Sequence, residues 1–259
     1  MSCTSVLKSM EADRFPPQTA SAYTTQEVQQ GSTVCHCSTC QNRSVCMPPD
    51  LAAIESSHLD SIISATRVVR EAQALYRTGS IFRSIYAVRS GSFKTEVSNR
   101  DGLVQITGLK IAGDLLGLGG VFSDRYTCDA IALEDSTVCV IPYSLLEGVC
   151  HDLDVMQRHV HRMLSREIVR GSNLMMLLGT MTEEQRVAAF LLDLLRRHRA
   201  RGYSATEISL RMTRREIGNF LGLKLETVSR AFSKLQRKKL IETERKEIRI
   251  LNLAALESL

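Results

Sequence analysis

Residues 212–235 predict two short helices joined by a tight turn. Thr213 is a favourable N-cap residue, and Gly222 can adopt the left-handed conformation that ends a helix. Apolar residues recur at helical spacing on both sides of this glycine, namely Ile217, Phe220, Leu221, Val228, Phe232 and Leu235. This pattern is typical of a helix-turn-helix, whose second helix lies in the major groove of DNA.

The second helix would expose polar groups that suit the edges of base pairs. Glu226, Ser229 and Arg230 face outward near its start, where Arg can bind guanine and Glu can accept from cytosine. Further groups are placed for phosphate contacts, namely Thr213, Arg214 and Lys224. Residues 242–250 alternate in polarity and predict a two-stranded wing. Residues 186–249 hold 17 Lys and Arg against 7 Asp and Glu, which supports nucleic-acid binding at this end.

Four of the eight cysteines lie within residues 35–46. Cys37, Cys40 and Cys46 have the spacing C-x2-C-x5-C, in which the two-residue gap lets two sulfurs converge on one metal or cluster. Three thiolates do not complete a tetrahedral site or a four-iron cluster. The residues alone leave several candidates for the fourth ligand, namely Cys35, His36, Cys3, Cys128, Cys139 and Cys150. A distant ligand would couple assembly of the site to folding of the domain.

The chain before residue 150 predicts an arm followed by a β domain. Residues 1–33 are rich in Ser, Thr and Gln and predict a flexible N-terminal arm. A short helix is predicted over residues 51–64, after a Pro-Pro-Asp stop. Residues 68–142 predict short strands between turns, most clearly at 80–88, 91–97 and 103–110. This spacing predicts an antiparallel barrel or roll, so we expect a sensor domain over residues 34–150.

Residues 152–178 predict one long helix of about seven turns with a continuous apolar stripe. So much apolar surface exceeds what one domain easily covers, which favours pairing with a second copy, whereas packing on the chain's own β-roll is the alternative. We therefore expect a dimerisation helix over residues 151–180 and a DNA-binding domain over 181–259, beginning with a helix at 183–198. The stripe consists of Met156, Val160, Met163, Leu164, Ile168, Gly171, Leu174, Met175 and Leu178.

A β-roll, a long linking helix and a winged helix-turn-helix, in this order, resemble the CRP/FNR family of bacterial transcription regulators. Within the family the chain is most similar to the FNR type, also called ANR. The resemblance rests on the cysteine spacing and on segments 85–91, 105–108, 112–115 and 226–230. It implies an α+β fold class: an N-terminal antiparallel β-roll (a jelly roll of the cyclic-nucleotide-binding type), a dimerisation helix and a C-terminal winged helix-turn-helix.

The resemblance also implies a cofactor and partners. FNR-type regulators hold an oxygen-labile [4Fe-4S] cluster with three N-terminal cysteines and a fourth in the β-roll, and these positions correspond here to Cys37, Cys40, Cys46 and Cys139. In such proteins the intact cluster favours the dimer that binds DNA, and oxygen dissociates that dimer. The implied partners are double-stranded DNA with a TTGAT-type inverted repeat, a second copy of the chain, and RNA polymerase. Residues 99–102 form a candidate loop for the polymerase contact.

Two other regulators with the same fold would use the same residues. A structural zinc site needs the same ligands, and a thiol sensor could form a disulfide between Cys37 and Cys40. A cyclic nucleotide is not expected as an effector. The loop over residues 117–129 lacks the Glu of the family's phosphate cassette, and Asp129 would put a negative charge near the phosphate.

Catalysis and membrane insertion are not expected. The sequence has no Walker loop, HExxH, GxSxG or dinucleotide fingerprint. A cysteine nucleophile would need a paired base, and His36 is the only histidine in the cysteine cluster, so we predict that the chain is not an enzyme. No apolar run approaches membrane-spanning length, and the N-terminus lacks a signal-peptide pattern. These features predict a cytoplasmic protein, in which clustered thiols indicate metal or redox chemistry more often than structural disulfides.

Overall fold

A computed structural model describes residue 37, residues 40–48 and residues 65–259. The predictions for the arm over 1–33, for Cys3, Cys35 and His36, and for a helix over 51–64 lie outside these residues. The described part of the cysteine segment contains one short helix, α1 (Arg43–Cys46).

The β-roll consists of β1 (Ala65–Val69), β2 (Ala74–Tyr76), β3 (Ser84–Ser90), β4 (Ser92–Ser98), β5 (Val104–Ile111), β6 (Leu115–Leu116), β7 (Asp129–Ala132) and β8 (Ser136–Pro142). These strands form two antiparallel sheets with the orders β1-β8-β3-β6 and β2-β7-β4-β5. The three clearest predicted strands correspond to β3, β4 and β5, so the antiparallel roll is confirmed. Gly91 joins β3 to β4 at a φ of +82°, and a Cβ there would lie 2.1 Å from Ser136 Oγ.

Alternation along the strands directs apolar side chains between the two sheets. Val88, Phe93, Ala130 and Val138 are each 0% exposed in this core. Alternate residues of a strand face the same side of its sheet, so each strand places one set of side chains in the core between the sheets. This shared core stabilises the roll, although each strand is only a few residues long.

Residues 65–259 contain seven further helices: α2 (Gly120–Ser123), α3 (Tyr143–Asp152), α4 (Asp154–Thr180), α5 (Glu183–Arg199), α6 (Arg214–Leu221), α7 (Leu225–Arg237) and α8 (Leu253–Glu257). The predicted helix over 152–178 is α4, but its predicted start is wrong. Asp152 ends α3, and Leu153 separates the two helices with an extended backbone at φ −126° and ψ 101°. None of the helices in the described ranges is long and apolar enough to cross a membrane.

The predicted apolar stripe of α4 divides into two parts. Met156 and Met163 are buried, and Met156 and Val160 pack against the core of the chain's own β-roll. Ile168 and Met175 are 70% and 68% exposed. The N-terminal part of the stripe is therefore covered within the chain, whereas its C-terminal part leaves large apolar side chains in solvent.

The C-terminal residues share an apolar core with the β-roll. Ile106, Leu109 and Ile111 of β5 belong to the same buried cluster as the inner faces of α5, α6 and α7. Helix α5 starts with a capping box formed by Thr182 and Gln185, which confirms the predicted cap. The helix-turn-helix is consequently packed directly on the edge of the roll.

Candidate functional site

Helices α6 and α7 form the helix-turn-helix. In the capping box of α6, Thr213 Oγ1 accepts from the N–H of Glu216, and the Glu216 carboxylate accepts from the N–H of Thr213. Gly222 ends the helix at a φ of +63°. Gly218 allows the turn to fold back, because a Cβ there would lie 2.6 Å from the carbonyl oxygen of Leu223. The predicted cap and turn glycine are thus confirmed.

Helix α7 has one buried and one exposed face. Its buried residues are Val228, Ala231, Phe232 and Leu235. On the other face, Glu226, Ser229 and Arg230 are exposed near the N-terminal end. The Arg230 guanidinium donates to Thr227 Oγ1 at 3.2 Å, which limits its motion. The three side chains predicted to read base edges therefore share one accessible surface, as a recognition helix requires.

The side chains predicted to contact phosphates have different surroundings. Lys224 is the exposed N-cap residue of α7. Arg214 is half-buried, with its guanidinium carbon 3.2 Å from the centroid of the Phe232 ring, and this burial lowers its pKa to about 10. Because the ring belongs to α7, Arg214 packs α6 against the recognition helix, a role that its position in the sequence does not indicate.

A carboxylate that the sequence analysis did not single out lies against the C-terminal end of α7. Glu184 of α5 pairs with Lys234 and Lys238. Burial opposes ionisation of Glu184, but the two lysines outweigh it and lower its pKa. The sequence shows that Glu184 and the two lysines carry opposite charges, but it does not show that they are close together. Their proximity depends on how α5 packs against α7.

The wing has three strands rather than two. The predicted pair is β10 (Ile241–Glu244) and β11 (Glu247–Ile250), and β9 (Glu207–Ser209) adds a third strand beside β11. Ile208 of β9 lies opposite Ile248 and both are buried. Strand β9 was not predicted because three residues are too few to show a period.

Cys139 lies in a row of side chains that crosses the outer face of one sheet. Its register partners are Thr66 on β1 and Ala87 on β3, and Ala87 is paired in turn with Leu115 on β6. Cys139, Thr66 and Ala87 are buried, although the adjacent Val138 points into the core between the sheets. Burial on both faces of this sheet means that another part of the chain covers the row.

The described part of the cysteine segment packs next to this row. Asn42 is buried and donates to the carbonyl oxygen of Arg89 at 2.7 Å. Cys46 Sγ donates to the carbonyl oxygen of Gly113 at 3.9 Å. His159 Nε2 on α4 lies 2.9 Å from the carbonyl oxygen of Cys46. Helix α1 therefore contacts the end of β3, the turn after β5, and the long helix.

The four predicted ligands are not gathered around one point. Cys37 and Cys139 are buried, while Cys40 and Cys46 are half-buried. Cys46 contacts Gly113, and the N–H of Gly113 donates to the carbonyl oxygen of Val88. Val88 follows Ala87 on β3, and Ala87 is the register partner of Cys139. Two of the thiols thus reach neighbouring parts of the roll. Across the described ranges, no three His, Cys, Asp or Glu side chains are close enough to hold a metal ion.

The other thiols in the described ranges lie apart from this row. Burial raises the pKa of both Cys128 and Cys150, so both stay neutral at physiological pH. Cys128 lies in the loop that corresponds to the family's phosphate cassette, where Asp129 accepts from the N–H of Thr78 at 2.7 Å and pairs with Arg77. The Asp129 charge is therefore neutralised within the roll.

Comparison with known families and proteins agrees with this architecture. Residues 66–152 match the cyclic nucleotide-binding domain, and residues 185–259 match the Crp-like helix-turn-helix domain. The solved structure of FixK2 from Bradyrhizobium japonicum superposes with a TM-score of 0.69 at 30% identity, covering 75% of this chain and 96% of that one.

Two relatives of known class align along most of the chain. The transcriptional activator protein anr of Pseudomonas aeruginosa is 41% identical over 217 residues, which cover 84% of this chain and 89% of that protein. The fumarate and nitrate reduction regulatory protein of Vibrio cholerae is 37% identical over 234 residues, covering 90% and 94%. The chain therefore belongs to the CRP/FNR family, to its FNR/ANR type, and is a DNA-binding transcriptional regulator rather than an enzyme.

Proposed function

We propose that this regulator controls anaerobic metabolism by sensing oxygen through a [4Fe-4S] cluster held by Cys37, Cys40, Cys46 and Cys139. The observation that carries the proposal is the docking of α1 beside the buried Cys139 row on the outer face of the β-roll. Thiolates are the usual ligands of iron–sulfur clusters, so the donor set fits the group chemically. When bound, the cluster supplies a centre that oxygen can degrade.

The chain's own contacts offer a path from the cysteine segment to the long helix. Asn42 anchors the segment to β3, and Cys46 is in contact with both Gly113 and His159 of α4. If a bound cluster stabilises the cysteine segment against the β-roll, it would therefore also stabilise one position of α4. A coupling of about 1–3 kcal/mol is enough to change DNA affinity roughly 5- to 150-fold.

Metal analysis tests the cofactor directly. Protein purified without oxygen should contain about four iron and four sulfide per chain, and its visible absorbance should bleach in air. Cys139→Ala should lose the cluster, whereas Cys150→Ala, a matched change of a half-buried thiol outside the ligand set, should retain it. Zinc in the purified protein, or reversible thiol oxidation without metal, would refute the iron–sulfur assignment and favour one of the two alternative regulators.

The dimer is proposed to form along the exposed part of the α4 stripe. At about 1.5 Å per residue the 27 residues of α4 span roughly 40 Å, and Ile168 and Met175 leave apolar surface along its C-terminal part. Ile168→Glu should convert the dimer to monomer in sedimentation velocity. Leu251→Glu changes a residue that is 51% exposed outside α4 and should leave the dimer intact. A dimer that survives Ile168→Glu would contradict this interface.

The DNA target is proposed to be an inverted repeat of TTGAT-type half-sites read by Glu226, Ser229 and Arg230. Arg230→Ala should weaken binding to this duplex by about 1–3 kcal/mol and reduce discrimination at one base pair. Lys224→Ala should weaken binding to all sequences and lower the salt slope by about one. Arg70→Ala, an exposed arginine on the β-roll, is the control. Wild-type affinity for the matched site, together with wild-type discrimination against scrambled sites, would reject the assignment of Arg230.

Residues 99–102 are proposed to contact RNA polymerase, and no cyclic nucleotide is proposed as effector. The loop lies at the tip of the β4–β5 hairpin, where Asn99 Oδ1 accepts from the N–H groups of Asp101 and Leu103. Arg100→Ala should lower transcription in vitro while DNA affinity stays unchanged. Calorimetry with cyclic AMP should give no binding heat, and a saturable isotherm would overturn that part of the proposal.

A further inference from the structure

Asp114 is a buried carboxylate held rigidly by the backbone of the β-roll. Its side chain is 3% exposed. The residue lies in the turn between β5 and β6, where Gly113 has a φ of +85° and donates to the carbonyl oxygen of Val88 at 2.7 Å. The N–H of Ile111 donates to Asp114 Oδ2 at 2.9 Å. This network fixes the direction of the carboxylate independently of the helices around it.

Three guanidinium groups converge on this carboxylate. Arg170 lies 3.2 Å from Oδ1, Arg201 lies 2.9 Å from Oδ1, and Arg197 binds Oδ2. Burial raises the pKa of Asp114, but the charges of the three arginines, with the Ile111 N–H, outweigh it and hold the pKa at about 2. The carboxylate is therefore ionised throughout the physiological range.

The three arginines come from two different parts of the regulator. Arg170 belongs to α4, the long helix. Arg197 is in α5, the first helix of the C-terminal domain, and Arg201 follows that helix. Arg197 also donates to the carbonyl oxygen of Leu109 at 2.8 Å, and Arg201 donates to that of Ala112. One carboxylate of the β-roll thus joins the long helix to the C-terminal domain.

A second attachment lies at the other end of β5. The side-chain amide of Asn219 on α6 donates to the carbonyl oxygen of Val104 at 2.7 Å and accepts from the N–H of Ile106. Gln105 Nε2 donates to the carbonyl oxygen of Asn219 at 2.6 Å. Because β5 is an edge strand, these groups lack a strand partner on that side, and Asn219 takes the partner's place.

The two attachments are far enough apart to fix an orientation. Strand β5 has eight residues, so its ends are separated by roughly 25 Å. A domain held at one point can pivot in any direction, whereas a domain held at both ends of a strand can turn only about the line that joins the two attachments. Half-sites of an inverted repeat are read about one helical turn of DNA apart, so domain orientation decides which spacing a dimer accepts.

We propose that Asp114 is the positioning residue that fixes the C-terminal domain on the long helix and the β-roll, and thereby sets the half-site spacing that the regulator accepts. The DNA readout of this inference rests on the proposed dimer at an inverted repeat. The attachment itself can be measured without DNA.

The DNA experiment compares spacing preference in Asp114→Asn and wild type. Duplexes carry the same half-sites at the optimal spacing, at one and two base pairs more or less, and as a single half-site. Asp114→Asn should lose affinity for the optimal spacing by roughly 5- to 150-fold. Its penalty for altered spacing should shrink, with single half-site affinity unchanged. An unchanged spacing penalty in the folded variant would overturn the proposal.

Two further variants separate positioning from loss of fold. Asp193→Asn removes a 54% exposed carboxylate that lies 3.5 Å from the same Arg197, and it should keep the wild-type spacing profile. Asn219→Ala removes the second attachment at a partly exposed site, and it should relax spacing in the same direction as Asp114→Asn. Circular dichroism establishes that each variant is folded. Relaxed spacing in Asp193→Asn, or a wild-type spacing preference in Asn219→Ala, would contradict the inference.

Hydrogen exchange measures the attachment of the C-terminal domain to the β-roll without DNA. The amide of Ile106, bonded to Asn219, should exchange faster in Asp114→Asn, while the amide of Thr66 in the distant β1–β8 pair should keep its wild-type rate. Equal rates at Ile106 in the two proteins would reject the attachment. If wild type fails to bind inverted repeats at all, the proposed function is wrong, but the exchange rates still decide whether Asp114 positions the domain.

Discussion

Replacing Asp114 by Asn deletes the negative charge on which Arg170, Arg197 and Arg201 converge. The three arginines hold the pKa of Asp114 at about 2, against an ordinary 3.8. Each pH unit between these values contributes about 1.4 kcal/mol, so ionised Asp114 adds about 2 kcal/mol to stability at neutral pH. Asn cannot supply this term, and removing the counter-charge from Arg201, which is only 3% exposed, moves the loss toward about 3–5 kcal/mol.

The sign of the pH dependence follows from the lowered pKa. Asp114 stabilises the folded state fully above about pH 4, and this contribution is lost as pH falls through about 2. About half of it should remain at pH 3. The difference in unfolding free energy between wild type and Asp114→Asn should therefore be largest at pH 7 and shrink on acidification.

Urea unfolding at pH 7 and pH 3, followed by circular dichroism, measures this difference. With an m-value of about 2 kcal/mol per molar urea, a loss of about 2–5 kcal/mol corresponds to a midpoint shift of about 1–2.5 M. Asp193→Asn, the exposed control, should shift the midpoint little at either pH. A difference below about 0.5 kcal/mol at pH 7, the range of ordinary surface changes, would refute the reasoning. So would a difference that is the same at both pH values.

Three other changes test local features. Gly113→Ala should lose more unfolding free energy in urea than Gly102→Ala. Both glycines have a positive φ, but a Cβ at Gly113 would also lie 3.0 Å from Val45 Cγ1. Equal losses in the two variants would contradict this contact. Glu184→Gln should release the two lysines that it pairs with and raise DNA affinity a few-fold at low salt, and unchanged affinity would mean that these lysines do not reach DNA. Thr213→Ala should lose about 1 kcal/mol of unfolding free energy through the lost cap, whereas Thr213→Ser should not.

Local pattern was enough to predict the longer elements of the fold. The 3.6-residue period, the caps at Thr182 and Thr213 and the turn at Gly222 act within a few residues, so the sequence alone locates α4 to α7. Period-two stretches located β3, β4 and β5 in the same way. Very short elements such as β9 escaped prediction because their formation depends on a neighbouring strand rather than on their own residues.

Contacts between distant segments were decided by the tertiary structure. Asp114 and Arg201 are 87 positions apart, and Ile106 and Asn219 are 113 apart. Neither pair has a local signal, since a buried carboxylate in a turn and an exposed one have the same sequence pattern. The packing of Arg214 on Phe232 was equally hidden, because a basic residue at a helix start is compatible with phosphate binding and with a ring contact.

The sequence by itself determined which chemistry the chain carries: thiols at metal-binding spacing, a recognition helix with exposed Glu226, Ser229 and Arg230, and a basic C-terminal end. These follow from residue type and short-range geometry. Only the tertiary structure decided how the parts are connected, by bringing Asp114, α4 and α5 together on one turn of the β-roll. The physical reason is that burial and charge pairing depend on how distant elements pack, which no local period encodes.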